Sequence, residues 1–394
     1  MADNQTPWFV TKIECPVCGF ENSFEIIKQG SYTESGRDTD FCPTGRSWKN
    51  QAYQNYNPIL FFTGTCKNCN YTREITSSFK EWHKDNGFRT YRLPNQKKKH
   101  LAEIAKESNI FKILSGKIDY KNFPNESAIL KLILAIYDEL LLDRPTSLDL
   151  ARFYLRIAWV YREISGGQSS DITPAQITLN KIQNELKKLQ NAFEIFDDSF
   201  KSLASTISNE IRTVLPEGNR SEESAKGLLD SLGDINKNWS EIAGFFDSLK
   251  TNFDNAKSNM SDNVTENEDS DQFDDHASFP DFLKGARETW DGIPLSELDA
   301  LRFALEFYKK AYLNGKEIKA GLQQLQASYM IGELSRRVGD EAQAMEYFKN
   351  SSKQAHEMMT RHRNDRAVFS NSQKLLEMSL EQARLLKKPE TANK

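Results

Sequence analysis

Two cysteine pairs, "CPVC" at Cys15 and Cys18 and "CKNC" at Cys66 and Cys69, constrain this chain more than any other feature. A CxxC turn points two thiolates at one ion, and two such turns supply the four sulfurs of a tetrahedral Zn2+ site. Gly19 and Asn70 follow the pairs directly, and both residue types tolerate the positive φ that closes such a turn. Strand-like stretches come next, "FENSFEII" after the first pair and "YTREIT" after the second. The pattern predicts a zinc-ribbon-like domain holding one Zn2+ on Cys15, Cys18, Cys66 and Cys69. The competing reading is two buried or redox-active pairs. Four sulfurs leave no open position for water or substrate, so the metal is expected to serve folding.

The compartment decides whether such thiols stay reduced. The first residues, "MADNQTPWFVTKIE", have neither the basic start nor the apolar run of a signal peptide. The most apolar stretch, "AILKLILAIYDELLL", is too short to span a bilayer and carries Lys131, Asp138 and Glu139. A cytoplasmic protein without a membrane span is expected, where thiols favour metal over disulfides. The net charge of −4 argues against nucleic-acid binding by the chain as a whole. It hides a gradient: residues 80–100 hold seven basic against two acidic residues, and residues 167–280 hold 10 against 21.

Cys42, in "SGRDTDFCPTGRSW", is the fifth cysteine. Arg37 and Arg46 offer the positive charge a reactive thiolate needs, but the nearest histidine in sequence is His83. The favoured reading is a partly buried thiol in a long connection between the two knuckles.

"CPVCG", "GRDTDFC" and "YNPILFFTGTCKNCNY" resemble a bacterial family known as domain of unknown function 2225. The likeness covers roughly residues 10–165 and resumes near 297. It implies a paired-CxxC N-terminal domain followed by tetratricopeptide-like helices, with the four knuckle cysteines as metal ligands. It also marks Arg37, Asp38, Asp40 and Cys42 as a motif without an assigned role. More than a hundred residues between the family-like portions do not share the resemblance.

"YMIGELSRRVGDEAQAMEYFKNS" predicts a helix-turn-helix unit. Ile331, Gly332 and Ser335 share one face of the first helix, while Ala344, Phe348 and Ser351 line the second. Small Gly332 and Ala344 permit close approach, and the unit resembles a tetratricopeptide repeat, with His356 where that motif usually has proline. "FYLRIAWVYREI" repeats the first-helix spacing at Ile157, Ala158 and Tyr161, but its partner, with Ala304, Tyr308 and Ala311, comes far later. Gly332 and Ala344 are 12 positions apart, whereas Ala158 and Ala304 are 146 apart. A repeat turn has therefore received an insertion, at the place where it disturbs a stack least.

The insertion carries apolar residues in unbroken three-and-four steps, from Leu179 to Ile207 and again from Leu228 to Met260. Two such seams predict an antiparallel coiled-coil hairpin, its arms about 40 residues or roughly 60 Å long. "SDNVTENEDSDQFDDHASFPD" then reads as a flexible acidic linker.

The expected fold is mainly α: a zinc-ribbon-like β/α domain over 1–92, helical repeats over 93–166, the hairpin over 167–260, the linker over 261–295, and tetratricopeptide-like repeats over 296–388. The leading function is a non-enzymatic scaffold that binds partner proteins through its repeats and arm, with self-association through the hairpin. A nucleic-acid or ribosome-associated factor is the alternative, using the zinc ribbon with the basic segment 80–100, where Trp82, Phe88 and Tyr91 interleave with Lys84, Arg89, Arg92 and Lys97–Lys99. An enzyme comes third, because no closed catalytic set can be assembled beyond Asp38, Asp40 and Cys42.

Overall fold

The computed structural model describes residues 6–165 and 278–387, with His276 and isolated positions between 205 and 251. By contacts the chain divides into one compact unit of residues 1–171 with 268–394, and a second of residues 172–267. The hairpin expected over 167–260, isolated positions apart, and the linker up to residue 275 lie outside the described residues.

In the first unit the described chain is mainly helical, with three two-stranded antiparallel sheets near its start. β1 (Trp8–Glu14) pairs with β2 (Glu21–Ile27), and the first knuckle is the turn between them. β3 (Tyr32–Arg37) pairs with β4 (Pro43–Trp48), so the expected long connection contains a hairpin of its own. β5 (Thr63–Thr65) and β6 (Thr72–Glu74) flank the second knuckle.

Helices follow: α1 (Ser77–Lys80), α2 (Leu93–Ile104), α3 (Ile110–Ser115), α4 (Pro124–Leu140) and α5 (Ser147–Ile164). Beyond the second unit come α6 (Phe279–Thr289), α7 (Glu297–Asn314), α8 (Leu322–Arg337), α9 (Glu341–Arg361) and α10 (Arg366–Lys387). Their starts follow ordinary capping chemistry. The side chains of Ser278, Ser296 and Asp340 each accept a hydrogen bond from the backbone N–H three residues on.

Helices α4, α5, α7, α8, α9 and α10 pack in succession, α5 lying directly against α7. The residues expected to face one another are buried: Ile157 and Ala158 in α5, Ala304 and Ala311 in α7, Ala344 and Phe348 in α9. A Cβ on Gly332 would sit 2.8 Å from the Phe348 ring, so glycine there sets how closely α8 and α9 approach. A continuous apolar core runs from α3 to α10.

Two expected boundaries change. Positions 92 and 296 are not edges between compact units, because the knuckles and the helices on both sides belong to one unit. The linker also ends before residue 295. Phe279–Thr289 is helix α6, with Phe282, Leu283 and Ala286 buried in the main core. The residues after it are held too, Tyr154 donating to the Gly292 carbonyl at 2.8 Å and Tyr161 to the Pro294 carbonyl at 2.9 Å. The acidic residues just upstream obscure this short apolar face in the sequence.

Candidate functional site

The two knuckles share one backbone design. Cys15 N–H donates to the Phe20 carbonyl and Gly19 N–H to the Cys15 carbonyl, each at 2.9 Å; Cys66 N–H donates to Tyr71 and Asn70 N–H to Cys66, each at 2.8 Å. Gly19 and Asn70 close these turns at φ of 75° and 62°, as their residue types allow. The turns bring Cys15, Cys18, Cys66 and Cys69 together, with all four sulfurs within 4.8 Å of one another. The Cys15–Cys69 and Cys18–Cys66 sulfurs lie 3.6 Å apart. Zn–S bonds of about 2.3 Å in a tetrahedron give sulfur edges of about 3.8 Å, whereas a disulfide needs about 2.05 Å. The spacing fits four ligands around one ion.

The electrostatics fit as well. Hydrogen bonds from Cys15 and Cys69 pull the Cys66 thiol well down, the contact with Cys66 pushes Cys15 up to about 12, and the contacts with Cys15 and Cys66 push Cys69 higher still. Four thiolates at this spacing require a cation among them. Backbone N–H groups of Cys18, Cys69 and Tyr71 favour the thiolates of Cys15, Cys66 and Cys69 respectively. Asn22 Nδ2 approaches the Cys66 sulfur at 3.4 Å while its Oδ1 accepts from Lys67 N–H at 3.0 Å. A metal here would hold the two hairpins together, and four protein ligands would close its coordination sphere.

Behind the second knuckle lies a buried group that sequence reasoning missed. His100, from α2, donates from Nε2 to the Cys69 carbonyl at 2.8 Å, and its Nδ1 lies 2.6 Å from Asp138 Oδ1 on α4. The other Asp138 oxygen accepts from Thr72 N–H at 2.7 Å. As an imidazolium the ring donates to both the Cys69 carbonyl and Asp138, whose own pKa burial raises. Burial works against that charge, but Asp138 overrides it and raises the His100 pKa. These bonds join α2 and α4 to the knuckle. Residue separations of 31 and 38 leave no periodic signal for them.

The basic stretch around His100 differs from the expected nucleic-acid face. Trp82 and Phe88 are buried, Trp82 donating to the Glu14 carbonyl at 2.9 Å and Phe88 lying under the Arg73 guanidinium at 4.4 Å. Tyr91 and Lys97–Lys99 are exposed.

The "RDTDFC" segment is the turn of hairpin β3–β4, with Phe41 at a φ of 66°. It inserts two carboxylates among the helices and builds an ionic clasp. Arg162, on α5, donates to Asp38 Oδ2 at 3.0 Å and to both Asp40 oxygens at 3.1 and 2.8 Å. It also donates to Glu297, the first residue of α7, at 2.9 and 2.7 Å. Arg337, on α8, pairs with Asp38 at 2.9 Å and with Glu333 at 2.7 Å. Trp159 donates to Asp40 at 3.2 Å, and Tyr329 to the Thr39 carbonyl at 2.8 Å. Asp40 and Arg337 are almost wholly buried.

Three candidates of the enzyme reading therefore have structural partners. Asp38 and Asp40 are neutralised by arginines, and burial pushes the Cys42 thiol up to about 12, away from nucleophilic behaviour. Arg46 pairs with Glu163 rather than activating Cys42. Arg37 is exposed.

A family model described as "Uncharacterized protein conserved in bacteria (DUF2225)" matches residues 8–215 and 289–371. The chain belongs to this family. The DUF2225 match extends past the expected break near residue 165 and resumes at 289, so only 216–288 separate its two segments. No curated protein and no solved structure matches the chain. Among the described residues, no helix is long and apolar enough to cross a membrane.

Proposed function

We propose that this DUF2225 protein is a zinc-stapled helical scaffold that holds partner proteins, with residues 172–267 as the arm that meets them. The clasp is the observation that carries this reading. Arg162 from one side of the intervening segment and Arg337 from the other converge on one hairpin turn, and Glu297, also from beyond the segment, accepts from Arg162. The base thus has its own bonds across residues 166–277, and that segment is free for another task. In sequence it carries Phe193, Phe196, Phe200, Trp239, Phe246 and Phe253, more apolar surface than a two-helix hairpin readily buries.

The donor set supports zinc as the staple, since four thiolates at tetrahedral spacing suit Zn2+. Helices α5 with α7, and α8 with α9, read as tetratricopeptide-like units, the first of them interrupted. Reduced thiols at such a site fit a cytoplasmic protein. The nucleic-acid alternative keeps Tyr91 and the exposed lysines but has lost Trp82 and Phe88 as stacking surfaces.

The test replaces residues 168–275 with a flexible linker, sparing α6. The shortened chain is expected to stay soluble, keep its metal and melt cooperatively. Crosslinking and affinity capture from source-cell lysate should yield partners with the full chain that the shortened one lacks. Recovery of the same partners by both would remove the arm from the proposal; an insoluble shortened chain would show that the base depends on it.

A further inference from the structure

Hairpin β3–β4, the turn at Pro58–Phe61 and helices α5, α7, α8 and α10 line a half-open cavity of about 700 Å3. That is the size of a site for one small molecule. Its charge contrasts with a chain whose net charge is −4. Arg37, Arg152, Arg156 and Lys374 line it, against Glu34 and Asp40. Asp40 is already committed to Arg162 and Trp159, so the wall is electropositive.

Arg156 is the informative group. It is half-buried on α5, its guanidinium carbon 3.9 Å above the Phe62 ring, with Nη1 donating to the Arg152 carbonyl at 3.3 Å. No carboxylate among the described residues forms an ion pair with it; Glu74 acts on it only at longer range. A guanidinium has five N–H donors, and Arg156 spends one on the Arg152 carbonyl, which leaves others for a group in the cavity. Burial pushes its pKa down. Among the described residues the Arg152 guanidinium pairs with Asp149, at 3.4 Å on the exposed side. Tyr308 is buried in the same wall, and its hydroxyl has no hydrogen-bond partner among the described residues. Leu155, Trp159, Ile318 and Met330 give the rest of the lining an apolar character.

Stacking on Phe62 holds the Arg156 fork in place, which favours two-point contact with a carboxylate or phosphate. We propose that this cavity binds a small organic anion, a carboxylate or phosphate monoester on an apolar or aromatic body. Arg156 and Arg152 meet the anionic head, Tyr308 donates to it, and Trp159 and Met330 lie beside the body. This site stands apart from the scaffold reading, which requires no small ligand.

The test uses the full chain and four probes: benzoate, phenyl phosphate, phenol and inorganic phosphate. Thermal shift and tryptophan fluorescence report binding, since Trp159 lines the cavity. At least one aromatic anion should bind about tenfold more tightly than phenol or inorganic phosphate, each of which lacks one half of the recognised chemistry. The tighter of benzoate and phenyl phosphate identifies the head group. Arg156→Gln should weaken that probe about tenfold, and Tyr308→Phe by a smaller factor. If Arg156→Gln costs the fold, Arg152→Gln, at an exposed position, makes the same measurement. The proposal is overturned if neither aromatic anion binds at millimolar concentration, if phenol binds as well as they do, or if a folded arginine variant keeps full affinity.

Discussion

Serine at Cys69 should abolish stoichiometric zinc and release both the second knuckle and the helices behind it. Metal analysis of the parent should give close to one zinc per chain, and the variant far less. Structural zinc supplies about 10–16 kcal/mol of apparent binding energy in zinc-finger peptides, comparable to the whole stability of a domain. The effect should spread, because the Cys69 carbonyl is the acceptor that holds His100, and His100 with Asp138 joins α2 to α4. Hydrogen exchange should rise in Trp8–Glu14, Thr72–Glu74 and Leu93–Ile104 together. His100→Ala separates the two contributions. It leaves the four sulfurs intact and strands a buried carboxylate, which costs about 3–5 kcal/mol, so zinc should be retained while the melting temperature falls. Cys42→Ser should leave the zinc in place; loss there would mean that the ligand set is wrong.

What the sequence made legible follows from distance along the chain. The knuckles were readable because CxxC spacing and the following Gly19 or Asn70 are local, and the local geometry carries them unchanged into the structure. The buried residues of α5 and α7 were readable across 146 positions because each helix keeps its own periodicity. Helix α6 had a signal that went unused. Ser278 caps it by accepting from Asp281 N–H, with Pro280 in the first turn and Phe282, Leu283 and Ala286 forming the buried face.

His100 and the clasp had no such signal. Asp40 and Arg162 are 122 residues apart, and Thr39 and Arg337 are 298 apart. A buried ion pair has no period, and either partner alone reads as an ordinary surface charge. The charged motif stood out in the sequence, yet what it does depends on helices from both sides of the second unit. Its carboxylates looked available for catalysis only while their arginine partners were unknown.

The clasp gives the second large prediction. Arg162→Ala removes hydrogen bonds to Asp38, Asp40 and Glu297 and leaves Asp40, which is fully buried, without its main countercharge. Breaking a buried pair from one side costs about 3–5 kcal/mol. The loss should be read first as faster hydrogen exchange in Tyr32–Arg37 and Pro43–Trp48, because the hairpin turn is what the arginine holds. The Asp40→Ala, Arg162→Ala double variant should be less unstable than the sum of the two single changes, since removing both partners leaves less charge stranded. Additive losses would mean that the groups do not act as a pair. Asp38 supplies an acid signature. Burial pushes its carboxyl up, but Arg337 and Arg162 outweigh that and hold its pKa below the ordinary 3.8. A depressed folded-state pKa adds stability above the unfolded value and withdraws it as pH falls through the folded one. The parent should therefore lose hairpin protection as pH drops below about 4, the unfolded carboxylate's value, and on through the lower folded one. Asp38→Asn should be weaker at neutral pH and flatter across that range. An Asp38→Asn variant with the parent's full acid dependence would assign the acid sensitivity to other carboxylates and leave Asp38 a positional role in the turn.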